Sequence, residues 1–223
     1  MAFLQALADL LFPPRCPFCG KLLEHKGPWP CQKCANADFW ITGPQGLSSG
    51  EHYLRCTSAG WYQEKLRDSV LKFKFSNHPE YAETYGPILA RRIETYLPGS
   101  YDCITWMPVS PETWKKRGYD QAQCLAQETA KALGREAVPL LAKTGKNVAQ
   151  SSLKDGRLRK GNVEGVYEVP DPSKVQGQRI LLIDDILTTG STLEEGAKTL
   201  RAAGAAQVVA ATLCRTPAQR DRS

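Results

Sequence analysis

Apolar positions along the chain change period several times, and each change marks an element. Phe3, Leu4, Leu7, Leu10 and Leu11 fall at helical spacing and Pro13-Pro14 ends the run, which predicts a short amphipathic helix. That stretch has no basic opening, and Gln5 and Asp9 interrupt it, so it reads as a packed helix and not as a signal peptide or membrane anchor. Leu66, Val70 and Phe73 repeat at i, i+4 and i+7 and predict a helix over about 62–78. Tyr81, Tyr85, Ile88, Leu89, Ile93 and Tyr96 share one side of a second helix, over about 79–97.

After Pro98-Gly99 the apolar runs shorten. Residues 102–109 and 179–185 read as buried strands, and 138–141, 166–169 and 207–214 as further β segments. Helical patterns fill about 119–133 and 192–203, the latter stopped by Gly204. Lys115, Lys116, Arg117 and Gly118 read as a basic turn, and residues 35–60, rich in Gly, Ser and Pro, as a linker or small hairpin region. Strands alternating with helices of about ten or more residues predict an α/β fold with a parallel sheet and right-handed crossovers. The 223 residues allow one full domain and a small appendage, divided here as 1–50 and 51–223.

Composition narrows the class. Apolar residues at 42% and charged residues at 23% are globular values that exclude a disordered, collagen-like or coiled-coil chain. No apolar run approaches the roughly 18 residues that would span a bilayer, so no membrane insertion is expected. Lys plus Arg exceed Asp plus Glu by 29 to 23, and residues 143–160 alone carry six basic residues against one acid. That segment is either a solvated loop or one that meets a polyanion or a phosphorylated ligand.

Cys16-x2-Cys19 and Cys31-x2-Cys34 form two knuckles about a dozen residues apart, a spacing that lets four thiolates surround one tetrahedral Zn²⁺. Gly20 permits the tight turn after the first pair. The competing reading is a pair of disulfides, or a redox pair; with no secretory signal, a cytoplasmic chain with reduced thiols is expected. With sulfur at all four positions the metal would hold structure and not catalyse. His25 lies inside the block and reads as a surface residue.

The sharpest chemistry lies at 180–192. An apolar strand ends in Asp184 and Asp185, and Thr188, Thr189, Gly190, Ser191 and Thr192 form the turn into a helix. Exposed N–H groups, a glycine that allows close approach and several hydroxyls make a phosphate cradle at a positive helix end. Two acids just before it suit sugar hydroxyls or a divalent cation, at the carboxyl edge where open α/β sheets bind ligands. The implied ligand is a sugar phosphate. Neither a P-loop nor a dinucleotide fingerprint is present.

This thirteen-residue element resembles the phosphoribosyl pyrophosphate (PRPP) signature of type I phosphoribosyltransferases. The paired CxxC block, Lys72-Phe73-Lys74, Arg117-Gly118-Tyr119-Asp120-Gln121, Gln150, Leu153, Arg159, Asn162, Tyr167 and the closing Leu213-Cys214-Arg215-Thr216 extend the resemblance to the ComF/GntX family over nearly the whole chain. It implies a type I phosphoribosyltransferase-like sheet flanked by helices, with Asp184 and Asp185 as the catalytic acids on the ribose hydroxyls and residues 188–192 around the 5′-phosphate. Pro108, Val109 and Ser110 are placed like the loop that receives pyrophosphate, and the basic stretch like the mobile loop, with Arg159 and Lys160 as its nominated contacts. Asp120 stands where the family more often has Asn, and Lys143 where Arg is expected. The family further implies Mg²⁺ with PRPP or another ribose 5-phosphate ligand, and transfer of phosphoribosyl or release of pyrophosphate, in a setting of DNA uptake or DNA utilisation. The alternative is a non-catalytic PRPP sensor or adaptor that binds single-stranded DNA or competence proteins; Trp114 to Tyr119 offers basic residues beside aromatics.

Overall fold

The computed structural model describes residues 13–23, 30–144 and 165–217. The helix expected at the start, and most of the basic stretch including Arg159 and Lys160, lie outside the described residues.

The strands in chain order are β1 (Leu47–Ser48), β2 (Cys56–Trp61), β3 (Cys103–Trp106), β4 (Ala142–Lys143), β5 (Tyr167–Glu168), β6 (Arg179–Leu187) and β7 (Gln207–Arg215). The α-helices are α1 (Gln32–Ala35), α2 (Glu64–Phe75), α3 (Ala82–Tyr96), α4 (Pro111–Arg117), α5 (Gln121–Ala132) and α6 (Ser191–Ala202). Five strands make one sheet in the order β1-β2-β7-β6-β3, parallel except for the short β1, while β4 and β5 pair antiparallel in a separate ribbon. This is the expected α/β class.

Parallel strands need both faces covered, and β6 shows how. Its Leu181 and Ile183 join one apolar cluster with Phe73, Tyr85, Leu89 and Leu125, from the helices α2, α3 and α5. Ile180 and Leu182 point the other way, to Leu193, Ala197 and Leu200 of α6. The cysteine block belongs to the first cluster, since Cys16, Phe18, Cys34 and Phe39 are all buried in it.

Three expectations need correction. The stretch read as linker contains β2, a strand paired in parallel with β7. Its residues Cys56, Thr57, Ser58, Ala59 and Gly60 are small, because neighbours approach closely: a Cβ on Gly60 would stand 2.4 Å from Leu66 Cδ2. The hydroxyls are paired internally, Ser58 with Thr212 across the strands at 2.7 Å, so the strand carries neither an apolar run nor a polar–apolar alternation. The basic turn at 115–118 is instead the end of α4, with Ser110 capping the Thr113 N–H at 3.2 Å and Gly118 closing it at φ +81°. No residue of α4 is buried, so it leaves no apolar stripe to read. Finally, no strand forms at 138–141: a single bridge joins Ala137 to Ile104, and the chain next pairs directly after this stretch, in β4.

Candidate functional site

The four sulfur atoms of Cys16, Cys19, Cys31 and Cys34 lie within 4.8 Å of one another. Tetrahedral zinc with Zn–S bonds of about 2.3 Å needs S···S edges of roughly 3.8 Å, so the donor set fits structural zinc. The turn after Cys16 is closed by the Gly20 N–H on the Cys16 carbonyl at 2.8 Å, with Gly20 at φ +73°.

At the carboxyl edge of the sheet, β6 delivers Asp184 and Asp185. The Asp185 N–H donates to Asp184 Oδ1 at 2.8 Å, and Lys74 of α2 places its Nζ 2.9 Å from Asp185 Oδ2. Burial, and then the adjacent Asp185 charge, push Asp184 well above the ordinary carboxylate range. The turn into α6 follows at once. Gly190 occupies the cap position at φ +84° and brings no capping side chain, while the Thr189 and Ser191 hydroxyls pair at 2.9 Å. Positive φ suits glycine there, and an added Cβ would stand 3.4 Å from the hydroxyl of Tyr53. The connection between β1 and β2 is tied to the same helix start, because Glu194 accepts from the N–H groups of Glu51 (2.7 Å) and His52 (3.0 Å).

The neighbouring strand β3 continues as Pro108, Val109 and Ser110. Asp120 fixes this loop: its Oδ2 accepts from Val109 N–H at 2.9 Å, and its Oδ1 accepts from Ala122 and Gln123 N–H at the start of α5. Two carboxylate oxygens thus serve a helix cap and a loop at once, which gives the aspartate at this position a physical reason. An asparagine has only one accepting oxygen. Burial pushes the Asp120 carboxyl upward, and its three N–H donors oppose that shift.

A cavity of about 340 Å³ joins these parts. Asp184, Asp185, Thr188 and Thr192 line one side, and Pro108, Val109 and Ser110 the other. Thr189, Gly190 and Ser191 shape the turn without lining the cavity. Lys74, Arg117, Gln121, Lys143 and Tyr167 also line it. Lys143 opens the basic stretch and Arg117 belongs to the basic–aromatic run, whereas Lys74, Gln121 and Tyr167 had no assigned role and no signal beyond membership of the strings that carried the family resemblance. A second cavity, of about 430 Å³, lies beyond the 108–109 wall, with Trp106, Trp114 and Leu141 among its lining residues.

An open parallel sheet whose interior strand brings two acids and a hydroxyl-rich glycine turn to one edge defines a domain of the phosphoribosyltransferase type. A family model described as a phosphoribosyl transferase domain matches residues 123–223, and one described as a double zinc ribbon domain matches residues 7–54. The DNA utilization protein YhgH of Salmonella typhi is 30% identical over 206 residues, covering 90% of this chain and 84% of that protein. Competence protein ComFC of Bacillus subtilis is 25% identical over 202 residues, covering 90% and 78%. Among solved structures, a glutamine PRPP amidotransferase from B. subtilis matches at 19% identity with a TM-score of 0.42, over 64% of this chain and 30% of that one. This chain therefore spans less than a third of that structure. The chain belongs to the ComF family of phosphoribosyltransferase-domain proteins with an N-terminal zinc module.

Proposed function

We propose that the cavity at the sheet edge binds PRPP or a closely related ribose 5-phosphate ligand. The observation that carries this reading is the convergence of the acid pair, the hydroxyl turn and the 108–110 loop on one cavity. In it the Asp184 and Asp185 carboxylates accept hydrogen bonds from the ribose hydroxyls, and the 188–192 turn with the start of α6 holds the 5′-phosphate. The pyrophosphate lies against Pro108, Val109 and Ser110, within reach of Arg117 and Lys143, with Arg159 and Lys160 as further proposed contacts. Breaking the bond between C1 and pyrophosphate leaves positive charge on the sugar and negative charge on the leaving group, and these cations stabilise the latter. Mg²⁺ bound with the ligand supplies further neutralisation of the pyrophosphate. With an acceptor nucleophile the products are the phosphoribosylated acceptor and pyrophosphate; with water as the nucleophile they are ribose 5-phosphate and pyrophosphate.

The names of the relatives, DNA utilization and competence proteins, support a role in DNA uptake or use. The proposed location is cytoplasmic; among the described residues no helix is long and apolar enough to cross a membrane. Titration of the full chain with PRPP and Mg²⁺, with pyrophosphate release measured over a panel of bases, tests the reading. Saturable PRPP binding is expected; absence of binding overturns it.

One observation favours a second reading, an adaptor for single-stranded DNA. Phe75 (67% exposed) and Trp114 (52%) are large exposed aromatics, and the Arg117 guanidinium sits 4.8 Å from the centre of the Phe75 ring. Aromatic platforms beside cations stack bases and track phosphates. Affinity for an oligonucleotide that falls steeply with salt and is lost on Phe75→Ala with Trp114→Ala supports this reading; salt-independent affinity removes it.

A further inference from the structure

Lys74 lies on the last turn of α2, where Leu66, Val70 and Phe73 face the core. Its side chain does not run to solvent with those of its neighbours Lys72 and Phe75. It is 19% exposed and ends 2.9 Å from Asp185 Oδ2, a carboxylate that is itself 8% exposed. A buried charge is costly unless paired, so the two groups hold each other in place. An ammonium has three N–H groups, and among the described residues Lys74 is ion-paired with Asp185 alone. It lines the cavity together with Asp184, Arg117 and Gln121. Gln121 is 4% exposed, and its Oε1 is buried with no hydrogen-bond partner among the described residues.

The position of the ammonium matters because of what else would use it. Magnesium is held by one or two carboxylates together with phosphates, at about 2.0–2.1 Å and with several waters retained. At Asp185 that direction is already taken by Lys74, and a divalent ion there would face a fixed positive charge across a few ångströms of low-dielectric space. We propose that Lys74 is a tethered cation in the place of a metal ion at Asp185: it keeps divalent cations off the acid pair, and it remains there to meet the ligand. Metal then enters the cavity only with the pyrophosphate. The ligand half of this inference rests on the ribose-phosphate reading above; the metal half does not.

The two halves are tested separately on the full chain. In titration calorimetry with Mn²⁺ or Mg²⁺ alone, the wild-type acid pair should bind no cation in the low-millimolar range. Lys74→Met should gain affinity at least tenfold, about one decade in Kd. Lys74→Gln, which keeps a hydrogen-bonding group beside Asp185, should gain likewise and serves if the methionine variant does not fold. Lys74→Arg should behave as wild type, and adding Asp185→Asn to Lys74→Met should remove the gain. With PRPP at limiting Mg²⁺, Lys74→Met should lose roughly tenfold in affinity and recover as Mg²⁺ is raised into the vacated place. Unchanged cation affinity in both the Met and Gln variants overturns the inference. If the wild type binds no PRPP, the ribose-phosphate reading fails while the cation titration still decides the role of Lys74.

Discussion

Cys16 and Cys34 are each 1% exposed and pack among Phe18, Phe39 and Tyr85, whereas Thr188, Thr189 and Ser191 stand exposed where the sheet ends. Both regions are short polar motifs of a few residue types, yet they relate to the core in opposite ways. Two of the four thiols, Cys16 and Cys34, are part of what fills one face of the sheet, so a metal on this cluster is a component of packing. The acids and hydroxyls stand where the sheet ends, and among them Asp185 is buried, paired with Lys74. The first region should therefore fail by unfolding, and the second chiefly by losing its ligand.

The largest effect should come from the metal. Chelation, or Cys34→Ser, should abolish cooperative melting of the chain, because structural zinc contributes on the order of 10 kcal/mol or more and its ligands are continuous with the core. Elemental analysis should give about one zinc per chain for the described cluster. A chelated protein with an unchanged melting curve would erase the contrast between the two regions.

Next comes the acid pair. Asp184→Asn with Asp185→Asn keeps shape and removes charge, and each charge-assisted hydrogen bond to a sugar hydroxyl is worth roughly 1.5–3 kcal/mol. PRPP affinity should fall at least tenfold by calorimetry, and the melting temperature should fall less than on metal removal, because Asp185→Asn leaves Lys74 without its charged partner. A double variant that binds as wild type would reduce the motif to a strand end. Gly190→Val should lose binding too, but with a loss of stability of roughly 1–3 kcal/mol, since a β-branched residue is strained at φ +84° beside the Tyr53 hydroxyl.

How much of this was readable in advance follows from the same contrast. The β6 strand, its acids and the turn were legible because rare residue types fall at fixed spacing within thirteen positions. The cysteine block was legible for the same reason. Lys74 and Gln121 were not, because nothing in helical periodicity marks a single polar side chain as facing a cavity, and only tertiary packing brings them, with Arg117, to one cavity. β2 was missed because its side chains are small and its hydroxyls pair internally. α4 was missed because it buries no residue.

Smaller effects sharpen the picture at the 108–110 loop. Asp120→Asn should keep the α5 cap and lose the Val109 bond, costing about 1 kcal/mol in denaturant unfolding. Its PRPP affinity should drop more than its stability, since the loop and not the helix is released. An equal loss in both would make Asp120 a cap and nothing more.

The least effect concerns pH. The folded Asp184 carboxyl lies above its unfolded value of about 3.9, so its stabilising contribution is complete below that value. It is lost as pH rises through the raised folded value. The ligand-free protein should melt slightly lower across that range, while PRPP binding, which uses the carboxylate in the proposed reading, should strengthen. Asp184→Asn should flatten the melting trend. A wild type whose melting is flat over the same range would place Asp184 in an ordinary aqueous setting.

The sheet order has a consequence for how the chain assembles. β7 lies between β2 and β6, and Cys56 pairs with Ala210, so the interior of the sheet is closed by residues about 150 positions apart. During synthesis, β2 emerges with an unpaired edge and stays so until residues 207–215 have followed. The cysteine block, made earlier still, binds its metal against a face whose Val209, Ala211 and Leu213 do not yet exist. Metal capture and sheet closure are thus separated in time, and the interval between them is when the nascent chain is most exposed to aggregation and proteolysis.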